Sequence, residues 1–483
     1  INLASHRLYK TVEKESIELN DEIKYTLTYK NNTDGVIPDF QLLDVLPYNG
    51  DSRGTNFNGS YKLNKIEVLR YDKNNNPLSQ DGVEIYYINN NDIRNDYSSK
   101  DDFLNQVDGW NLVDSNETIN NYATAIALKG TATEQERIEV NIYLTPENNE
   151  VEDVYCNLAT AQTNLNTEEL TSSIVKAQVI SRELDGFVFI DKDYDSVYTQ
   201  GKDELVKNAE VTIVNENNEQ VNDVYGNILT TIRTDEEGYY SFKNLPKGNY
   251  RVLFKILDNK YQAVEKEVGS NVTINSKINA DFSTDIITAL NSDTSSKLVV
   301  SNVNAGFVKK ETKVIVNYKE IGTDKLLSDE VTINGRIDDE YSTENKLDEI
   351  NANNDNKYEY VRVEGTTEGQ MTEDTIYVTY WYQKKAANVK VLHVLEGTDV
   401  SNPESVTEVL YPTEEITGRV DDNYTTQNRL EEINENSQIE YELVEDNVAN
   451  KTGQMTVDTI YVVYEYRTIP ATIKIEHKDI DTD

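Results

Sequence analysis

The chain has 483 residues, which is enough for three or four domains of ordinary size. Its net charge of −41 leaves no basic stripe to neutralise phosphates, so no nucleic-acid partner is expected, and an anionic membrane surface would repel it. A single cysteine, Cys156, rules out an intrachain disulfide, and no apolar stretch is long enough for membrane insertion. Tyrosine outnumbers phenylalanine by 32 to 9, and its alternation with threonine favours β-strands.

The first part of the chain is predicted to be a β-sandwich. Short runs of alternating apolar and polar residues, such as 22–31, 65–71 and 137–145, are separated by turns rich in Asn, Asp and Gly. This pattern predicts an Ig-like sandwich over residues 1–183. The one helix predicted in this part lies at residues 98–107, where a serine precedes acidic residues.

Three short motifs in this domain resemble those of the fimbrial isopeptide-forming domains of Gram-positive surface proteins. They are Lys10-Thr-Val in the first strand, Asp44-Val-Leu-Pro at a strand end, and Asn157-Leu-Ala in the last third. The resemblance implies that Lys10 is the attacking amine, Asn157 the acceptor and Asp44 the proton relay. Burial favours a neutral, nucleophilic lysine because desolvation lowers its pKa. The alternative is an ordinary sandwich with a surface lysine and an aspartate in a turn.

Residues 184–309 are predicted to form a second all-β unit. The predicted strands are 186–191, 209–215, 228–234, 239–245 and 249–256. The loops between them carry Asp, Asn and Gly, which favour turns.

The first strand of this unit leads into a candidate metal loop. Alternate aspartates in a tight loop converge on one hard cation, the carbonyl of the seventh loop position adds an oxygen, and a later carboxylate completes the shell. The candidate ligands are Asp191, Asp193, Asp195, the carbonyl of Val197, and either Asp203 or Glu204. Ser196 replaces the usual glycine, and the last acid lies a residue or two too far along for an EF-hand loop. The alternative is a solvated acidic turn.

The same unit resembles the B-type repeat domain of serine–aspartate repeat surface proteins. The resemblance is most specific at residues 234–250, TDEEGYYSFKNLPKGNY, and spans most of 184–309. Members of that family are calcium-stiffened stalk modules, so the resemblance implies that the aspartates and the later acid bind Ca²⁺. A related collagen-adhesin B-type domain carries a catalytic Glu after the Gly-x-Tyr strand. Residues 249–256 contain no acid, so no isopeptide bond is expected in this module.

The C-terminal part contains a tandem repeat. GRIDDEYSTENKLDEIN at 335–351 returns as GRVDDNYTTQNRLEEIN at 418–434, and EGQMTEDTIYVTYWY at 368–382 returns as TGQMTVDTIYVVYEY at 452–466. A third copy opens at Ile473. The modules are predicted at 310–386 and 387–469, with a truncated copy at 470–483. Each is predicted to be a small β-grasp-like unit in which a strand at 313–320 is followed by a loop, a segment around Gly335, a short helix at 343–351 and two closing strands.

These repeats resemble the MucBP (mucin-binding) modules of Gram-positive adhesins over residues 311–468. The resemblance rests on the opening strand, the Gly-Gln-Met-Thr motif and the closing Ile-Tyr-Val-x-Tyr-x-Tyr strand. The name implies a host glycoprotein, mucin or extracellular-matrix partner, although such repeats often act as spacers. His393 occupies the place of Tyr318 in the first copy, and a position that accepts either residue is predicted to lie on a strand surface.

Together these features predict an all-β-dominated modular protein that is not an enzyme. The sequence contains no HExxH, GxSxG, CxxC or phosphate-binding loop, so self-catalysed isopeptide formation is the only chemistry expected. We expect a fragment of a secreted, extracellular, cell-wall-attached adhesin or fimbrial-type protein that acts as a monomeric stalk. The alternatives are a module that binds host glycan or matrix protein directly, and a non-catalytic part of a secreted enzyme.

Overall fold

A computed structural model of the chain describes residues 5–94, 107–163, 169–293, 295–445 and 448–476. The chain divides into two compact units, Ile1–Val308 and Lys309–Asp483. Strands dominate both units, which confirms the predicted fold class. The helix predicted at 98–107 lies outside the described residues except for Val107.

The first half of unit one is a sandwich with buried alternate residues. Its strands are β1 (His6–Val12), β2 (Ser16–Ile17), β3 (Ile23–Asn31), β4 (Ile37–Val45), β5 (Ser60–Tyr71), β6 (Val83–Ile88), β7 (Asn111–Val113), β8 (Thr118–Asn121), β9 (Ala125–Ala132), β10 (Arg137–Glu147), β11 (Val154–Asn157), β12 (Thr160–Thr163), β13 (Leu170–Thr171) and β14 (Val175–Val179), with a 3₁₀ turn at Asn91–Arg94. The sheets run β1-β3-β10-β5-β8, β13-β12-β4-β9-β6-β7 and β11-β14-β2. Leu27 of the first sheet and Leu42 and Leu128 of the second are fully buried in one shared core, because successive side chains of a strand alternate between its faces.

The second half of unit one has a separate core around its central strand. Its strands are β15 (Ser181–Ile190), β16 (Glu204–Leu205), β17 (Glu210–Asn215), β18 (Ile232–Arg233), β19 (Tyr239–Phe242), β20 (Tyr250–Lys255), β21 (Tyr261–Ala263), β22 (Lys297–Val300) and β23 (Ala305–Lys309). One sheet runs β16-β15-β23-β21, with β19 and β22 also paired to β15, and the other runs β18-β17-β20. The strand predicted at 228–234 is shorter, because Ile228 is exposed and makes only an isolated bridge to Asn222.

Unit two contains the tandem repeat. The first copy has β24 (Glu311–Glu320), β25 (Leu326–Arg336), β26 (Glu340–Ser342), α1 (Leu347–Asn353), β27 (Tyr358–Glu364), β28 (Glu368–Gln370) and β29 (Ile376–Lys384). The second copy has β30 (Ala386–Leu395), a 3₁₀ turn at Pro403–Ser405, β31 (Tyr411–Arg419), β32 (Asn423–Thr425), α2 (Leu430–Glu435), β33 (Tyr441–Leu443), β34 (Thr452–Gln454) and β35 (Ile460–Thr468).

Each copy forms a mixed four-stranded sheet, β25-β24-β29-β27 and β31-β30-β35-β33, in which the first and last strands of the copy pair in parallel. The helix of the first copy buries Ile350 in the core of its module. This arrangement confirms the β-grasp-like prediction. The loop predicted ahead of Gly335 is in fact the long edge strand β25, which pairs antiparallel with β24. Within the described residues, 469–476 form no strand, and no helix is long and apolar enough to cross a membrane.

The two motifs of the repeat meet in one packing contact. A Cβ added to Gly335 would lie 2.6 Å from Sδ of Met371, and one added to Gly418 would lie 2.8 Å from Sδ of Met455. The glycine of Gly-Arg therefore leaves the space that the methionine of Gly-Gln-Met fills. This contact explains why both motifs recur together.

Candidate isopeptide and metal sites

Lys10 and Asp44 meet in the interior of the sandwich. They belong to β1 and β4, which lie in different sheets, and both side chains are 0% exposed. The Lys10 amine contacts Oδ2 of Asp44. Burial lowers the pKa of Lys10 despite the opposing charge and hydrogen bond of Asp44. Neither residue has the surface position that an ordinary sandwich would give it, and the amine has the environment that favours its neutral form.

A tyrosine ring links this pair to the strand that carries Asn157. The Lys10 amine lies 5.2 Å from the centroid of the Tyr25 ring. The Tyr25 hydroxyl donates a 2.9 Å hydrogen bond to the carbonyl of Tyr155. Tyr155 stands two residues before Asn157 in β11, so their side chains project from the same face of that strand.

Asn157 is fully buried, and only one end of its carboxamide has a hydrogen-bond partner among the described residues. Its Oδ1 accepts a 3.2 Å hydrogen bond from Nη1 of Arg53, whereas its Nδ2 has no hydrogen-bond partner among the described residues. Oδ1 of Asp44 likewise lacks a partner there. A cavity of about 170 Å³, lined in part by Arg53 and by Leu158, adjoins the site. No sequence motif pointed to Arg53, which stands in a turn-like stretch.

Four of the predicted metal ligands converge after β15. Carboxylate oxygens of Asp191, Asp193, Asp195 and Asp203 all lie within 4.8 Å of one another. Glu204, the alternative to Asp203, instead forms a 2.6 Å ion pair with Lys192. Between the two acids that the sequence left open, Asp203 is therefore the one that the fold brings to the cluster.

The backbone of this loop is wrapped around its first aspartate. Asp191 accepts hydrogen bonds from the backbone N–H groups of Tyr194 (2.7 Å) and Ser196 (2.9 Å). Ser196 has a φ of 67°, the left-handed conformation that glycine usually supplies at this position. The serine that replaces the usual glycine at this position therefore leaves the turn intact. Val197 lies in the same loop, and its N–H donates to Oδ1 of Asp195.

The electrostatics of the loop fit a hard cation. Oδ1 of Asp193 is buried without a hydrogen-bond partner among the described residues, and its Oδ2 pairs with Lys202 at 2.8 Å. Burial and the charges of Asp203 and Asp195 raise the pKa of Asp191, although two backbone hydrogen bonds oppose this. A set of clustered carboxylates with an orphaned oxygen is the donor chemistry that Ca²⁺ prefers.

A second group of Lys, Asn and Asp occurs in the same half of the unit and was not recognised in the sequence. Nζ of Lys266 donates to Asn279 Oδ1 (2.9 Å) and Asp285 Oδ2 (2.6 Å), and Nδ2 of Asn279 donates to Asp285 Oδ1 (3.0 Å). The side chain of Asp285 is 73% exposed and that of Lys266 29% exposed. Water therefore reaches this group, in contrast to the buried site at Lys10.

His393 does not lie on a strand surface, and that prediction was wrong. The ring is fully buried, with Nδ1 2.9 Å from the Tyr466 hydroxyl and Nε2 3.0 Å from a carboxylate oxygen of Glu414. It stacks on Tyr464 with centroids 5.5 Å apart. Either residue type is accepted because both supply a flat ring with a polar atom. Burial lowers the pKa of His393.

The tyrosines of the closing strands hold the helices in place. The hydroxyl of Tyr382 accepts a 3.1 Å hydrogen bond from the backbone N–H of Lys346, directly before α1. The hydroxyl of Tyr466 accepts the equivalent 2.9 Å bond from Arg429, directly before α2. Both rings are fully buried. The last tyrosine of the closing motif therefore belongs to the core of each module, whereas the first one in the first copy, Tyr377, is 62% exposed.

Comparison with known proteins supports the two domain resemblances. The family model described as the SdrD B-like domain matches residues 182–306, and the one described as the MucBP domain matches 313–383 and 403–467. Among curated proteins the sequence has no match.

Solved structures with partial similarity include two pilus proteins and one further bacterial protein. BcpA, the major pilin subunit of Bacillus cereus, is 12% identical, with 62% of this chain and 70% of that chain covered and a TM-score of 0.29. The group B streptococcus pilus 2b backbone protein is 16% identical, with coverage of 62% and 97% and a TM-score of 0.31. The Bacillus anthracis TIE protein is 9% identical, with coverage of 97% and 76% and a TM-score of 0.31. Likeness at these values does not extend to function.

Proposed function

We propose that this chain, which carries one SdrD B-like domain and two MucBP domains, is the stalk of an extracellular Gram-positive cell-wall protein. It is not an enzyme toward other molecules. Its role is to project and to hold, with an intramolecular isopeptide bond in the first domain and Ca²⁺ in the second. The observation that carries this proposal is the buried contact between Lys10 and Asp44, together with a buried Asn157 whose Nδ2 has no hydrogen-bond partner among the described residues. Arg53 connects the two, because it donates to Asn157 Oδ1 and to the carbonyls of the two residues after Asp44.

The proposed cross-link forms without a cofactor. The neutral amine of Lys10 attacks Cγ of Asn157, and a new C–N bond forms while the bond from Cγ to Nδ2 breaks. Asp44 relays one proton from the amine to Nδ2, which leaves as ammonia. The chain therefore loses the mass of one ammonia and gains a secondary amide, with no change in oxidation state. Burial away from water favours the neutral amine that this step needs.

The position of the bond suits a stalk. Lys10 lies in the first strand of the sandwich and Asn157 in a late one, so the cross-link closes nearly the whole domain into a loop. A pulling force applied through the ends of the domain would then pass through a covalent bond. The hydrogen-bonded strand pairs between residues 10 and 157 would then not be pulled apart by that force.

Calcium would act in the second domain by neutralising the four clustered aspartates. The mutual repulsion of these carboxylates opposes folding of the loop between β15 and β16. A cation coordinated by all four would neutralise their charge and hold the two ends of the loop together. Asp191, Asp193, Asp195 and Asp203 are the residues proposed to hold it. Retention of the loop geometry at Ser196 supports this assignment.

For the repeats we propose a spacer role. The last two tyrosines of each closing motif are buried, and the final one accepts a hydrogen bond from the backbone at the start of the helix, so neither is displayed for stacking on a sugar. The first tyrosine of the motif in the first copy, Tyr377, is 62% exposed. The domain name suggests mucin as a partner, and a glycan array probed with the whole chain tests this. A spacer gives no signal, whereas reproducible glycan binding would establish a direct binding module instead.

Intact-mass spectrometry of the purified chain tests the central proposal. We expect the wild-type mass to be short by one ammonia and Lys10→Ala to have its full calculated mass. The exposed group at Lys266 serves as an internal control, because we expect no second loss there. A wild-type mass equal to the calculated value would overturn the cross-link.

A further inference from the structure

The guanidinium group of Arg53 is hydrogen-bonded to the carboxamide oxygen of Asn157, the proposed acceptor. Its Nη1 donates to Oδ1 of Asn157 at 3.2 Å. The carbonyl oxygen of that carboxamide gains negative charge when an amine attacks Cγ. A charged donor already in place at this oxygen is the arrangement that stabilises such an intermediate.

Arg53 is fixed in this position by several partners. Nε and Nη2 both contact Oδ2 of Asp51, at 2.9 and 2.8 Å. Nη1 and Nη2 donate to the carbonyls of Val45 and Leu46, at 2.5 and 3.1 Å. These two residues directly follow Asp44, so the guanidinium is tied to the strand that carries the proton relay.

The anion that holds Arg53 is itself kept charged. Burial acts to raise the pKa of Asp51, but hydrogen bonds from Thr55 and the charge of Arg53 bring it below its ordinary value. The side chains of Asp51 and Arg53 are 2% and 7% exposed, so little solvent screens them. The result is a preorganised cation, which needs no reorganisation when charge develops on its neighbour.

We infer that Arg53 is a third catalytic residue of the isopeptide reaction, the one that stabilises the oxyanion formed on Asn157. The inference rests on the proposed function, because it assigns a role within that reaction. Lys10 supplies the nucleophile and Asp44 transfers the proton. Arg53 donates a hydrogen bond to Oδ1 of Asn157, which carries negative charge only while the intermediate exists. The positive charge of Arg53 also joins burial in lowering the pKa of Lys10.

Arg70 offers a matched control for the loss of a buried arginine. Its side chain is 4% exposed and pairs with Glu136, and it donates to the carbonyls of Ser79, Asp81 and Thr131 in the same sandwich. It makes no hydrogen bond to Lys10, Asp44 or Asn157 among the described residues. Arg70→Met thus removes a similar set of structural contacts without touching the reacting atoms.

The experiment follows the intact mass of the whole chain at successive times after cell-free synthesis. For Arg53→Met we expect the ammonia loss to be slower by about 100-fold or more, the usual effect of losing one oxyanion donor. Arg53→Lys should recover part of the rate, since it restores a cation near Oδ1. Arg70→Met should react at the wild-type rate.

Structural damage is measured separately in the Asn157→Ala background, where no bond can form. There we expect Arg53→Met and Arg70→Met to lower the melting temperature by similar amounts. If Arg53→Met reacts at the wild-type rate, or if Arg70→Met is equally slow, the role of Arg53 is overturned while the cross-link stands. A wild-type chain that never loses ammonia overturns the proposed function itself, and the inference with it. If Arg53→Met does not fold, the rate of Arg53→Lys relative to Arg70→Lys decides.

Discussion

Replacing Asn157 with alanine removes the acceptor and leaves the contact between Lys10 and Asp44 in place. The bond from residue 10 to residue 157 closes a loop of about 150 residues, and the chain-entropy relation gives about 5 kcal/mol of stabilisation at 25 °C for a loop of that size. For a domain of this size that corresponds to a fall of about 10 to 20 °C in melting temperature. Loss of the hydrogen bond at Oδ1 adds about 1 kcal/mol.

Asn149→Ala is the matched control for this prediction. Asn149 is buried in the same sandwich, its Oδ1 accepts one hydrogen bond from the backbone of Asn20, and its Nδ2 has no hydrogen-bond partner among the described residues. It therefore matches Asn157 in burial, in the single hydrogen bond at Oδ1 and in the Nδ2 without a partner, while it takes no part in the proposed bond. The assay is differential scanning calorimetry of both variants beside the wild type, with intact masses recorded for each sample. If the two variants melt within about 2 °C of each other while the wild type is short by one ammonia, the entropic reasoning is refuted.

Three further predictions concern the other modules. Asp193→Asn should abolish the rise in melting temperature that millimolar Ca²⁺ gives the wild type, a stabilisation of about 2.7 kcal/mol at 100 times the dissociation constant; equal calcium responses would show that the aspartates form a bare acidic turn. His393 is held neutral in the fold while an unfolded histidine protonates below its ordinary pKa of 6.5, so the stability that depends on it is complete above that pH and is lost as the pH falls below it. His393→Tyr, which copies the first repeat, should remove this acid sensitivity in thermal melts at pH 7.5 and pH 5, and an unchanged pH dependence would contradict the assignment. Gly335→Ala should destabilise unit two by about 1 to 3 kcal/mol through overpacking against the adjacent methionine, whereas Gly35→Ala, where no atom lies within 4 Å of the new Cβ, should have little effect; equal losses in urea denaturation would refute the packing argument.

Much of the architecture follows from the alternation of residues along the chain. Strands β3, β5 and β10 coincide with runs in which every second residue is apolar, and the tandem repeat can be read directly by comparing 335–351 with 418–434. Local motifs also place Lys10, Asp44 and Asn157 in the order typical of an isopeptide domain. These features are local in sequence, because side-chain periodicity and turn chemistry act over a few residues.

Other features depend on contacts between distant residues. No local pattern distinguishes Asp203 from Glu204. Asp203 lies in the turn directly before β16 and reaches the other aspartates, whereas Glu204 begins the strand and pairs with Lys192. The edge strand β25 is predicted as a loop from the sequence, because what makes it a strand is its backbone hydrogen bonding to β24, and local residue patterns do not show that pairing.

The buried polar sites show most clearly which features follow from local sequence and which depend on contacts between distant residues. Residue patterns along the chain predict most of the strands, the tandem repeat and the residue types available for a cross-link. The packed fold is needed to see that Lys10 and Asp44 are buried in contact, that His393 lies in a core, and that Arg53 from a surface-like turn reaches Asn157 across 104 positions of the chain. The physical reason is that burial and charge pairing are properties of the packed interior, where the two sheets and the loops between them bring distant side chains together.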